Sequence, residues 1–327
     1  MATEPRIHHY IPQAYLRGFG WKRGKNWYVC AADLKAHKFI QPNTKNICAE
    51  RDFLRMEIDG HSPDKLEKEM GMFETQARDA ILRVAKSRKF EGDDRIIILN
   101  LMALLAVRHP LMRENMRQFQ ERTMKLMMGL VLAKEERWEA QIRRMKEDGQ
   151  APDEDVTYEQ IKEFHDRGQY TIEVAREFHI GAEFKMFEPV LQTLVARKWK
   201  LYYAGERQGH FITTDHPVVL TWNHPDEVPL MHRHSPGFAM IDTEVVFPLT
   251  HECFLLGRFE GMLNGSEEAY APFIARCNTR MISHAFDFAV MINESFPYVI
   301  PPDQVYWDDK FMDRVKEYRD KSPLKEE

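Results

Sequence analysis

The sequence predicts an α+β protein: a helical middle region packed against a mostly antiparallel C-terminal sheet, with a small hairpin near the N-terminus. Three observations predict it. Between Leu66 and Ala196 apolar residues recur at intervals of three and four, the period of a helix with one buried face. From Trp199 onward, short runs of aromatic and β-branched residues are separated by Gly, Pro, Asn and His, the pattern of strands and turns. Trp27–Ala31 and Lys38–Ile40 have strand composition and flank a turn at Asp33–His37. With 327 residues, 43% of them apolar, the chain can bury a large core. One domain over residues 1–320 is expected, followed by a flexible tail at 321–327.

The opening stretch His8-His9-Tyr10-Ile11-Pro12-Gln13-Ala14-Tyr15-Leu16-Arg17-Gly18-Phe19 holds more chemically capable side chains than any comparable window. Proline pushes the residue before it out of the α region, so Tyr10-Ile11 is expected to be extended and Pro12–Leu16 helical, ended by Gly18 and Gly20. After the hairpin, Asn46–Leu54 sets Glu50, Arg51 and Asp52 among apolar neighbours. If that piece is extended, Glu50 and Asp52 share a face as paired carboxylates; in a loop they are surface acids.

Ser62-Pro63 starts a helix, an N-cap before proline in the first turn. Leu66, Met70, Phe73, Ala77, Ile81 and Val84 form its buried stripe, with Glu67 and Glu74 about two turns apart on its border. Asp93 is expected to cap the next helix. Its run Ile96–Val107 is apolar all round and too short to span a bilayer, so it belongs inside a core. Arg108-His109-Pro110 closes it, a cation at the negative end of the helix dipole. A long helix is expected over Leu111–Met145, then an acidic break at Gly149–Asp155. Thr157 with Gln160 makes a capping box that opens further helix to about Ala196, interrupted near Gly181 and Pro189.

Strands of one sheet are expected at Trp199–Tyr203, Phe211–Thr213, Val218–Trp222, Glu244–Pro248, Phe254–Arg258 and Phe288–Ile292. Asn264–Ala271 reads as a turn-rich link and Phe273–Phe286 as a helix bearing Asn278.

The net charge is -5, yet the first fifty residues carry eight Lys or Arg against three acids, a local surplus that attracts phosphates. Cys30, Cys48, Cys253 and Cys277 have neither disulfide-framework nor zinc-site spacing, which suits a reducing, cytoplasmic setting. The N-terminal stretch has no charged-then-apolar signal, and no membrane association is expected. Nucleophile-elbow, zinc-protease, kinase and phosphate-loop signatures are absent. His232-Arg-His234 offers two metal ligands only as a solvated loop would.

His8-His9-Tyr10-Ile11-Pro12-Gln13-x-Tyr15-Leu16-Arg17-x-Phe19 resembles the signature of a bacterial family, domain of unknown function 4238. Glu50–Phe53, Glu67, Glu74, Arg108–Pro110, Phe211-Ile-Thr-Thr-Asp215-His-Pro217-Val218, Phe247-Pro248-Leu249-Thr250 and Asn278 follow in the family's order. His216 stands where the family has a small polar residue, often Asn. The resemblance covers about His8–Ser283. It implies that His8, His9, Gln13, Arg17, Glu50, Arg108, Asp215 and Asn278 belong to one constellation.

Three function classes follow. In the first, a nuclease-like phosphate-ester hydrolase, His8, His9, Glu50 and Asp215 are catalytic. Tyr10, Gln13, Arg17, Arg108 and Asn278 then bind the ligand, Asp52, Glu67 and Glu74 support them, and a divalent metal is an allowed cofactor. In the second, the same pocket binds nucleic acid or a phosphorylated small molecule without chemistry. In the third, the polar residues only hold the helical and sheet regions together.

Overall fold

The computed structural model describes residues 7–55, 65–150, 156–233, 236–300 and 304–314, with the side chains of 65–67 left aside. The Ser62-Pro63 start, His234 and the 321–327 tail lie outside the described residues. Two compact units are present, one from the segments up to His109 and after Ile180, the other Pro110–His179.

In the first unit, β1 (Ile7–His9) pairs antiparallel with β5 (Ala49–Arg51). The short helix α1 (Gln13–Leu16) follows Pro12, whose extended backbone forms the N-cap, as its fixed φ favours. The expected hairpin is β3 (Asn26–Asp33) with β4 (Lys38–Ile40), and β3 also pairs with β2 (Gly20–Arg23). Gly20 thus begins a strand. A Cβ there would lie 2.2 Å from the Tyr28 carbonyl oxygen, so only glycine fits.

Helix α2 (Lys65–Ser87) packs on α3 (Gly92–Val107). The cap of α3 is Glu91, not Asp93; Asp93 and Asp94 lie inside the first turn, where the dipole favours them and Arg83 bonds Asp94 at 2.6 Å.

The C-terminal strands do not make one sheet. Five of them order as β11-β6-β10-β9-β8, comprising β6 (Lys198–Ala204), β8 (Val219–Trp222), β9 (Thr243–Thr250), β10 (Cys253–Arg258) and β11 (Gly265–Ala269). Only β11 with β6 is parallel; the other pairs of this sheet are antiparallel. The second sheet orders as β2-β3-β12-β7, where β7 is Thr213–Thr214 and β12 is Phe288–Met291. Helix α8 (Ala271–Ser283) packs against β13 (Phe296–Ile300), which pairs with β14 (Gln304–Asp308).

Alternation along β9 explains the layering. Val245, Phe247 and Leu249 join α2, α3 and the signature residues Tyr10, Ile11, Tyr15, Leu16 and Phe19 in one core. Val246 faces a second core with Ala32, Ala289, Ile274, Met281 and Phe296. Arg197 is buried against β9 and donates to the Thr243 carbonyl (2.7 Å), Thr243 Oγ1 (2.8 Å) and the Phe238 carbonyl (2.7 Å).

The second unit is helical. The stretch read as one helix is two, α4 (Pro110–Leu132) and α5 (Glu135–Glu147). The last carbonyls of α4 find side-chain donors in place of a further turn: Tyr158 Oη bonds the Leu132 carbonyl at 2.7 Å and Arg137 that of Leu130 at 3.1 Å. The Thr157–Gln160 capping box forms and starts α6 (Tyr158–Arg167), which ends at Gly168 in the left-handed conformation. Helix α7 (Arg176–Ala196) then carries the chain into the first unit. It runs unbroken through Gly181 and Pro189, against the expected interruption. No single helix among the described residues is long and apolar enough to cross a membrane.

Candidate functional site

His8 is fully buried on β1, directly opposite Glu50 on β5, which is exposed. The His8 Nδ1 accepts the Leu54 amide at 2.9 Å, so the neutral ring carries its proton on Nε2. Burial lowers the His9 pKa, opposed by backbone groups of Lys45 and Thr44. Tyr10 sits between Phe53 and His109, ring centroids 5.9 and 5.8 Å away. Burial, with Cys48, Asp215 and Glu50 nearby, pushes its phenol up. Arg108, buried at the end of α3, lies 3.5 Å from the Tyr10 carbonyl and 3.4 Å from Glu74.

Strand β5 ends at Arg51. Asp52 follows in a left-handed turn (φ 58°) and is buried, 3.8 Å from Arg51, so Glu50 and Asp52 do not share a strand face. Glu67 lies on α2, its side chain outside the described residues. The Gln13 side chain makes no hydrogen bond among the described residues.

Asp215 is fully buried just after β7 and accepts three backbone amides: Phe286 (2.9 Å), Asp287 (2.6 Å) and Phe288 (3.0 Å). Burial outweighs those donors and pushes its carboxyl up to about 6. It anchors the connection from α8 to β12. Asn278 does similar work elsewhere, in the second core. Its Oδ1 accepts the Ile212 amide (3.0 Å), and its Nδ2 donates to the His210 and Pro297 carbonyls (both 2.9 Å).

The fold therefore brings His8, His9, Tyr10, Glu50, Glu74, Arg108 and Asp215 into one neighbourhood and leaves Asn278 and Arg17 outside it. Arg17, at the end of α1, lines a separate cleft of about 180 Å³ with Trp27, Arg78, Ile81, Leu82 and Thr250. Its guanidinium makes no hydrogen bond or ion pair among the described residues, and its Nε is buried without a partner. Among the described residues no group of three or more His, Cys, Asp or Glu is placed to hold a metal ion.

Sequence reasoning missed Tyr15 as a junction. Its Oη donates to the Pro248 carbonyl (2.7 Å) and contacts Thr213 Oγ1 (2.7 Å), and its ring stacks on Phe247 at 5.2 Å. Three separated motifs thus meet on one phenol. The imidazoles of His109 and His216 lie 5.0 Å apart, and His216 Nδ1 is 3.3 Å from the His284 carbonyl. The signal was available in His216, the residue at variance with the family pattern.

These imidazoles make the protein acid-sensitive. Burial holds His109 down to about 3, with His216 adding to the shift, and holds His210 down to about 4, both from 6.5. The unfolded chain takes up protons near 6.5 while the native rings refuse them, so stability falls as pH drops below 6.5. At pH 5 each ring costs roughly 2 kcal/mol. Asp215, whose native carboxyl takes its proton earlier, returns roughly 1.4 kcal/mol over the same interval. Denaturant titrations at pH 7 and pH 5 should differ by about 3 kcal/mol in favour of pH 7. Equal stability would contradict the burial of neutral imidazoles.

No curated protein and no solved structure matches the chain. A family model described as Protein of unknown function (DUF4238) matches residues 7–295, nearly all of the first unit and the whole of the second. The signature, the Asp215 anchor, the Pro248 carbonyl held by Tyr15 and the Asn278 staple all lie within that match, and the chain belongs to this family.

Proposed function

We propose that the protein binds a phosphorylated ligand with a planar group, of the nucleotide class, in the cleft lined by Arg17 and Trp27. The observation that carries this is the Arg17 guanidinium, which has no protein partner among the described residues while its Nε is buried. A buried charged donor left unpaired is costly, and an oxyanion satisfies the planar fork bidentately. Arg78 across the cleft is bonded to Asp79 at 2.6 Å, which leaves Arg17 as the donor in search of an acceptor. Trp27 supplies a ring face for a base. Lys22 pairs with Trp27 in the β2–β3 register and is exposed, as are Arg23 and Lys25, so positive charge extends past the cleft.

Phosphate-ester hydrolysis by His8, His9, Glu50 and Asp215 has weaker support. Asp215 spends both carboxylate oxygens on backbone amides, and His8 spends Nδ1 on Leu54. Isothermal titration with nucleoside mono-, di- and triphosphates tests the reading. Wild type should bind saturably, and Arg17→Gln should bind at least about tenfold more weakly, the loss of one charge-assisted contact. Absence of binding, or equal affinity in the variant, would sink it. In the same preparations, turnover of a phosphodiester with Mg²⁺ or Mn²⁺ that disappears in Glu50→Gln would favour the hydrolase.

A further inference from the structure

A second cleft, of about 690 Å³, falls within the size range of small-molecule sites and belongs to none of the signature chemistry. It opens between the end of α2, the end of β6 and the β9–β10 turn. Its lining is rich in acceptors. Glu206, Glu252 and Glu268 are exposed carboxylates, against Arg88 as the lining residue with a fixed positive charge. That guanidinium already sits 3.9 Å over the Tyr203 ring.

Two imidazoles complete the cleft. The His251 Nδ1 lies 2.8 Å from the Gly18 carbonyl, which can only accept, so the ring donates there and Nε2 is left as an acceptor, 3.8 Å from Glu252. His210 Nε2 is buried and has no hydrogen-bond partner. Burial keeps His210 neutral, and burial likewise pushes the Cys253 thiol in the same wall up to about 11, so neither supplies an anion or a reactive thiolate. The Glu268 carboxylate lies against the backbone at Gly205, where a Cβ would come within 2.4 Å of its Oε1. A side chain at 205 would displace it.

Three carboxylates and a lone-pair nitrogen converging on a cavity of this size call for a ligand that brings N–H donors and positive charge. We propose that this cleft binds a small organic polyamine, its ammonium groups held by Glu206, Glu252 and Glu268 with His251 Nε2 as a further acceptor. The proposal is independent of the anion site at Arg17.

Titration calorimetry of the full chain with spermidine and with putrescine, at constant ionic strength, is the test. Saturable binding is expected, tighter for spermidine, and weakened about tenfold in Glu268→Gln and in Glu252→Gln, both exposed positions whose folding is checked by circular dichroism. An excess of Mg²⁺ should displace little of the bound amine. No saturable binding, unchanged affinity in both variants, or displacement by Mg²⁺ in proportion to its charge alone would overturn the proposal, the last by reducing it to diffuse attraction.

Discussion

Asp215→Asn should destabilise the protein severely at neutral pH. The native carboxylate accepts the amides of Phe286, Asp287 and Phe288 on its two oxygens. An asparagine has one oxygen, and whichever way its amide turns, the NH₂ faces at least one buried N–H. One donor set against another, with the loss of charge-assisted bonds, costs roughly 2–5 kcal/mol. That is a large part of the 5–15 kcal/mol typical of a folded domain. Urea unfolding followed by circular dichroism should show the midpoint collapse. Because burial pushes the native carboxyl up to about 6, the gap to the variant should narrow below that pH, where the wild-type side chain is itself neutral. A variant as stable as wild type at pH 7 that had lost an activity would instead return Asp215 to the chemistry.

Asn278→Asp should be at least as damaging. The Nδ2 group bridges two carbonyl oxygens, of His210 and Pro297, while Oδ1 takes the Ile212 amide. An aspartate sets a carboxylate oxygen against both carbonyls in a fully buried position, an uncompensated charge of the kind that costs roughly 3–5 kcal/mol. Insoluble expression, or a melting transition far below wild type, is the expected result. Asn278→Ala, which strands three backbone groups but adds no charge, should fall between the two in the same measurement. Wild-type stability in Asn278→Asp would show that the three hydrogen bonds do not hold these segments together.

Much of this architecture was legible in residue order. The hairpin of β3 and β4, the Thr157–Gln160 box and the apolar α3 follow from local chemistry, and local chemistry persists in the fold. The division of the strands into two sheets was not legible, because pairing is chosen by contacts far apart in the chain. Strand β12 joins β3 across more than 250 residues, and no pattern within either segment names the other. Strand β11, Gly-Ser-Glu-Glu-Ala, lacks the apolar alternation that would betray it, since four of its five residues are exposed at a sheet edge. The candidate site failed and succeeded for a related reason. Side-chain type marks Asp215 and Asn278 as costly to bury, but only the fold reveals that their partners are backbone amides and carbonyls. The Arg17 cleft needs Trp27 and Arg78, supplied by a hairpin and a helix that the signature does not mention.

The Tyr15 phenol has a consequence for biosynthesis. Its two partners, Thr213 and Pro248, lie 198 and 233 residues further along the chain. At about 5–20 residues per second, the ribosome needs roughly 10–50 s to deliver Pro248 after Tyr15. Throughout that interval the aromatic run Tyr10 to Phe19 has no seat. The segment is made before its partners and docks after them, so the nascent chain carries an exposed apolar segment of the kind that chaperones shield.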